Sequence, residues 1–89
     1  MKESTLQTKI IKYLEDKGFY VRKIITANKS GTPDLLACSP NGGFIGIEVK
    51  APGKLNNVSK LQEYNLQEIG KRGGVALLID DLDILKEIL

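Results

Sequence analysis

Two apolar runs, Leu35–Cys38 and Phe44–Val49, flank Pro40-Asn41-Gly42-Gly43. Asn-Gly between apolar runs is a strong hairpin signal, because both residues accept the positive φ that tight turns need. The stretch Gly31–Lys50 (GTPDLLACSPNGGFIGIEVK) therefore folds back on itself, and the rest of the chain must be built around that pairing. Strand side chains alternate faces, so Glu48 and Lys50 point one way and Ile45, Ile47 and Val49 the other. Closing the hairpin brings the start of one strand beside the end of the next. Asp34, which opens the first strand, is then expected beside Glu48 and Lys50 at one edge of the sheet. Two carboxylates and an ammonium gathered there suit a divalent metal with a companion cation.

At 89 residues the chain is expected to be one domain, 1–89, with a small core. A chain this size buries only roughly 60–65% of its unfolded surface, so self-association would help it. It has no histidine, which excludes histidine triads, histidine metal sites and histidine general bases. Its one cysteine, Cys38, excludes an intramolecular disulfide and a Cys-cluster zinc site, and fits a reducing compartment. No apolar run approaches the ~20 residues of a membrane span, and Met1–Thr5 leads into an amphipathic pattern without an apolar leader. Neither a membrane partner nor an organic cofactor is expected. Any catalysis must rest on carboxylates, lysines, hydroxyls, amides and a bound ion. Charge is unevenly spread: residues 1–60 carry ten Lys/Arg against five Asp/Glu, and residues 61–89 three against six. The basic excess lies with the candidate site. It suits an anionic polymer such as nucleic acid, although an ordinary solvated surface accounts for it too.

Leu6, Ile10 and Leu14 recur at four-residue spacing, widened by Ile11 and Tyr13, and predict a helix over 4–17. Ser4 is its candidate cap and Gly18 its stop. Glu3 continues the apolar stripe at the first turn; a favourable charge at the positive end of the helix dipole is the plain alternative. Residues 19–25 (FYVRKII) predict a strand and 26–32 a polar loop. Pro33 suits a strand's first position. Adjacent Leu35 and Leu36 predict a strand buried on both faces. After a loop over 51–58, Ser59 with Gln62 has the form of a capping box opening a helix over 59–72. The wholly apolar VALLI (75–79) predicts a central buried strand. Asp80 and Asp81 cap a last amphipathic helix. The expected class is α/β. Three antiparallel strands are followed, through a helical crossover, by a fourth parallel to the third, in a mixed sheet flanked by helices.

A small hard cation such as Mg²⁺ takes oxygen ligands, usually one or two carboxylates, and leaves other positions to water and phosphate. Asp34 and Glu48 supply carboxylates, and the Val49 carbonyl could add an oxygen. Lys50 cannot be a ligand while protonated, but it can orient a water and stabilise charge developing on phosphorus. The plain alternative makes Glu48 and Lys50 a solvated strand face and Asp34 a turn residue. An exposed ion pair of that kind contributes only ~0–1 kcal/mol, and two neighbouring carboxylates have no evident structural use.

Together these motifs resemble the PD-(D/E)XK nuclease superfamily and, within it, the stand-alone VRR-NUC domains. Pro33-Asp34 followed by Glu48-Val49-Lys50 matches the superfamily signature. Gly31-Thr32-Pro33-Asp34-Leu35-Leu36 matches the VRR-NUC form, and Glu3 stands where the family's first-helix glutamate is found. Ser59-x-x-Gln62 matches the helix motif after the last catalytic strand, and Lys50–Leu55 (KAPGKL) is typical of the family's loop. The resemblance spans nearly the whole chain.

It implies a restriction-endonuclease-like α-β-β-β-α-β core with a short C-terminal helix, and Mg²⁺- or Mn²⁺-dependent hydrolysis of phosphodiester bonds. It implies Asp34, Glu48 and the Val49 carbonyl as metal ligands. Lys50 would position the attacking water, Glu3 would hold a metal-bound water or a second ion, and Gln62 would contact water or substrate. Helix capping is the alternative role for Gln62. The resemblance further implies a homodimer acting on branched DNA such as Holliday junctions, in the cytoplasm of a bacterial cell or a phage-infected host. Lys29, Ser30, Lys54, Lys23 and Lys60 are the candidate DNA-backbone contacts. The rival expectations are a non-cleaving DNA-binding or scaffolding module that needs a partner for cutting, and a protein-interaction domain without DNA binding.

Overall fold

The computed structural model describes residues 1–89. Its elements are α1 (Glu3–Asp16), β1 (Tyr20–Lys23), β2 (Leu35–Cys38), β3 (Phe44–Val49), a 3-10 turn (Leu55–Asn57), α2 (Lys60–Lys71), β4 (Val75–Ile79) and α3 (Leu82–Ile88). The expected order holds, and so does the sheet. β1–β2 and β2–β3 pair antiparallel, β3–β4 pair in parallel, and the spatial order follows the chain. The hairpin register sets Cys38 against Phe44 and Leu35 against Ile47. Continued by one residue, it brings Asp34 level with Glu48. In the turn only Gly42, not Asn41, takes a positive φ.

One sheet face carries Val21, Leu35, Ala37, Ile45, Ile47, Val49 and Ile79, all buried against Leu6, Ile10 and Leu14 of α1 and Leu85 of α3. The four-residue spacing in α1 aims its three aliphatic side chains at this face. By alternation the opposite face carries Tyr20, Arg22, Leu36, Cys38, Phe44, Gly46 and Glu48. α2 packs on the β3–β4 half of that face. It can lie close because Gly46 is beneath it: a Cβ there would stand 2.6 Å from Ile69 Cδ1 and 3.2 Å from Pro33 Cγ. No helix is long and apolar enough to cross a membrane.

Several local expectations change. Ser4 lies inside α1, whose N-cap is Lys2 without a side-chain cap; the Ser4 carbonyl instead accepts from the Thr8 hydroxyl at 3.0 Å. β2 is not buried on both faces, since Leu36 is half-buried and Cys38 exposed where α2 stops short. VALLI is an edge strand rather than a central one, with Val75 40% exposed. Its apolar run reflects helices against both of its faces, α2 on one and α3 on the other, which a strand can have anywhere in a sheet. Asp81 alone caps α3, accepting from the Asp83 N–H at 2.9 Å. Asp80 accepts from the Gly53 N–H at 3.0 Å and ties the turn after β3 to the end of β4.

Candidate active site

Asp34 occupies the bend residue immediately ahead of β2, and its Oδ2 accepts from the Val49 N–H at 2.9 Å. That bond holds one carboxylate against the end of β3. Glu48 points to the α2 face and is 2% exposed. Its Oε2 accepts from Gln62 Nε2 at 2.9 Å and lies 3.8 Å from Lys50 Nζ. Its Oε1 is buried without a hydrogen-bond partner. Burial and then the neighbouring Asp34 carboxyl push the Glu48 pKa up to about 8; Glu3 adds to the rise and Lys50 opposes it. Glu3, half-buried in the first turn of α1, is thus near enough for its charge to be felt. It does not close up with Asp34 and Glu48 as a three-carboxylate cage, for the chain gathers no such group.

Lys50, with its side chain 12% exposed, donates to Gln62 Oε1 at 3.1 Å. The same oxygen accepts from the Ser59 N–H at 2.9 Å, and the Ser59 hydroxyl accepts from the Gln62 N–H at 3.1 Å. The two roles weighed for Gln62 are therefore compatible. The capping box holds the amide, and the held amide presents its oxygen to an ammonium and its NH₂ to a carboxylate. The reverse orientation would set donor against donor and acceptor against acceptor. Asp34, Glu48, Lys50 and Gln62 are brought together, and Glu3 stands at their margin.

Gly31 sets the approach to Asp34. Its φ is +83°, and a Cβ there would stand 2.7 Å from Asn65 Nδ2 and Leu61 Cγ and 2.9 Å from the Leu61 carbonyl oxygen. Asn65 Nδ2 also reaches the Ser30 carbonyl at 3.4 Å, so the 26–32 loop rests on α2. Gly31→Ala should cost about 1–3 kcal/mol of stability through strained backbone and displaced neighbours. Urea unfolding checks this; a variant as stable as its parent would mean the loop is not seated there.

All five candidate DNA contacts are exposed. Lys29 and Ser30 precede Asp34, Lys54 follows Lys50, and Lys60 opens the helix that carries Gln62. Lys23 differs. Alternation puts it with Val21 on the α1 side, whereas Arg22 shares the Glu48 face and stacks 4.0 Å from the Tyr20 ring centroid. Only the strand register separates these two neighbours, so sequence alone could not.

A buried carboxyl held far above its usual range, with one oxygen unpartnered and a second carboxyl beside it, is relieved by a hard cation. Fold and site together define a nuclease-type domain. The chain belongs to the VRR-NUC domain family, whose family model matches residues 2–79. A solved structure described as a VRR_NUC domain shares its fold, with a TM-score of 0.82 and 27% identity, covering 99% of this chain and 94% of that one. A protein named "Putative nuclease p44", from Acyrthosiphon pisum secondary endosymbiont phage 1, is 25% identical over 84 residues, or 94% of this chain and 88% of its own length.

Proposed function

We propose that this chain is a metal-dependent endodeoxyribonuclease that hydrolyses phosphodiester bonds in branched DNA as a homodimer. The observation that carries this reading is Glu48, a buried acid with an unpartnered oxygen beside Asp34 and in reach of Lys50. Asp34, Glu48 and the Val49 carbonyl would hold Mg²⁺ or Mn²⁺. When bound, the ion supplies Lewis-acid charge to phosphate oxygens. Glu48 must lose its proton to serve as an anionic ligand. Lys50 orients the attacking water and offsets negative charge as it develops on phosphorus. Gln62 keeps the Lys50 ammonium aimed by accepting from it. Glu3 holds a water or a second ion. Lys29, Ser30, Lys54 and Lys60 contact DNA phosphates, and Lys23 joins them where substrate reaches past the β1 edge. The name of the phage relative supports nuclease chemistry without specifying the DNA structure cut.

The half of the sheet that α2 leaves open supports the homodimer. Tyr20 is 60% and Phe44 50% exposed there, and a second copy would cover them. Sedimentation at micromolar concentration should give twice the chain mass; a monomer would remove that part of the proposal.

The test of activity is a panel of forks, four-way junctions, single strands and duplexes, each with and without Mg²⁺ or Mn²⁺. Cutting of branched DNA that requires the ion is the expected result. Junction binding with no cutting under any divalent ion would favour the scaffolding reading instead. Three phosphate contacts, from Lys29, Lys54 and Lys60, should weaken binding about 40-fold between 50 and 200 mM salt. A flat salt response would take these lysines out of the interface.

A further inference from the structure

Two buried side-chain polar atoms have no hydrogen-bond partner, Glu48 Oε1 and Gln7 Oε1. Both are acceptors. The first belongs to the carboxylate pair already described. The second lies on α1, where Gln7 is 5% exposed among the buried positions Leu6, Ile10 and Leu14. A methionine of similar size would fill that place without a stranded oxygen. Leaving a buried acceptor unpaired costs about 1–3 kcal/mol, so such groups in folded chains call for a donor from outside the fold.

The helix says where that donor comes from. Gln7 follows Glu3 by four residues, so the two share one side of α1. Helical side chains lean toward the N-terminus of their helix, which carries the Gln7 amide toward Glu3. Glu3 in turn is felt electrostatically at Glu48, and α1 packs directly on β3. Glu3 thus stands four residues from Gln7 on one helix and within electrostatic reach of Glu48. A divalent cation held by Glu48 Oε1 would carry bound water, a strong donor, and one such water could serve Gln7 Oε1.

We infer that Gln7 is a positioning residue of the nuclease site, its amide oxygen accepting from a water that Glu3 and the bound cation share. This rests on the metal-dependent reading proposed above. Gln7 holds the water and Glu3 in place from the core side; it touches neither the phosphate nor the scissile bond.

Gln7→Met removes the acceptor and keeps the volume. Three readouts are taken on the full chain: melting temperature without metal, the shift in melting temperature on adding Mn²⁺, and kcat for DNA cleavage. The variant should melt no lower than its parent, show a smaller Mn²⁺ shift, and lose about 10–100-fold in kcat, the range typical for groups that orient metal ligands. Gln7→Glu, which restores an acceptor oxygen, should recover the Mn²⁺ shift. A Gln7→Met protein with a lower melting temperature and the parental Mn²⁺ shift makes Gln7 an ordinary structural residue and overturns the inference alone. A parent that neither shifts with Mn²⁺ nor cuts DNA removes the nuclease reading and the inference with it.

Discussion

Glu48→Gln should make the ion-free protein more stable, and most of all at alkaline pH. The Glu48 carboxyl is 2% exposed and sits beside Asp34, which lifts its pKa from 4.5 to about 8. Between those two values the folded chain holds a proton that the unfolded chain has released. The stabilisation is thus fully present below the unfolded pKa and is lost as pH rises through the folded one. A glutamine of the same shape carries no charge at any pH. Its NH₂ can face Asp34 while its oxygen keeps the bond from Gln62. The variant's melting temperature should exceed the parent's by several degrees at pH 8–9 and by little near pH 4.5, a domain this size moving about 4–8 °C per kcal/mol. Added Mn²⁺ should reverse the order at pH 8 by stabilising only the parent, and cleavage by the variant should vanish. Calorimetry across this pH range decides it. A gap between the two proteins that does not change with pH would show that Glu48 does not carry the raised titration.

Lys50→Met should lower kcat by about 10²–10³-fold, the loss typical when one preorganised charge-stabilising group is removed. Lys50 Nζ lies 3.8 Å from Glu48 Oε2 and 3.1 Å from Gln62 Oε1 on a side chain only 12% exposed. It is held in place before any substrate arrives. Methionine keeps the buried stem and deletes the ammonium, so the fold should survive. Because Lys50 opposes the rise in the Glu48 pKa, its removal should also push ion binding to higher pH. Lys50→Arg should restore charge but little rate, since a planar guanidinium is longer and differently aimed than the ammonium that Gln62 receives. Single-turnover cleavage, with DNA affinity measured separately, distinguishes lost chemistry from lost binding. Parental cleavage by Lys50→Met would mean that the chemistry assigned to this lysine is wrong.

The hairpin explains why so much of the site was legible beforehand. Two apolar runs about a Gly-containing turn predict the hairpin, and a period of two decides which side chains of a strand share a face, while the five-residue loop between Cys38 and Phe44 sets the register. Asp34, Glu48 and Lys50 follow from that local geometry. Gln62 follows from the capping box, another local device. What depends on distant contacts was not legible. Where α2 lies over the sheet is settled by the meeting of Gly46, Pro33 and Ile69. The open side of β2 and the edge position of β4 follow from that packing and from pairing order, which no local pattern encodes. The seat of the 26–32 loop needs Asn65 and Leu61, some 35 residues away from Ser30 in the case of the hydrogen bond. Gln7 gave no signal at all. A polar residue beside an aliphatic stripe reads as a margin, and only the rotation of α1 against the sheet reveals that it is buried.

The central claim is that Asp34 and Glu48 share a hard cation. Titration of Mn²⁺ into the DNA-free protein by calorimetry near pH 7, in two buffers of different ionisation enthalpy, tests it most directly. The expected result is saturable binding that releases about one proton, because Glu48 enters the titration protonated, with that binding lost in Asp34→Asn. Undiminished binding by Asp34→Asn, with no proton released by either protein, would contradict it.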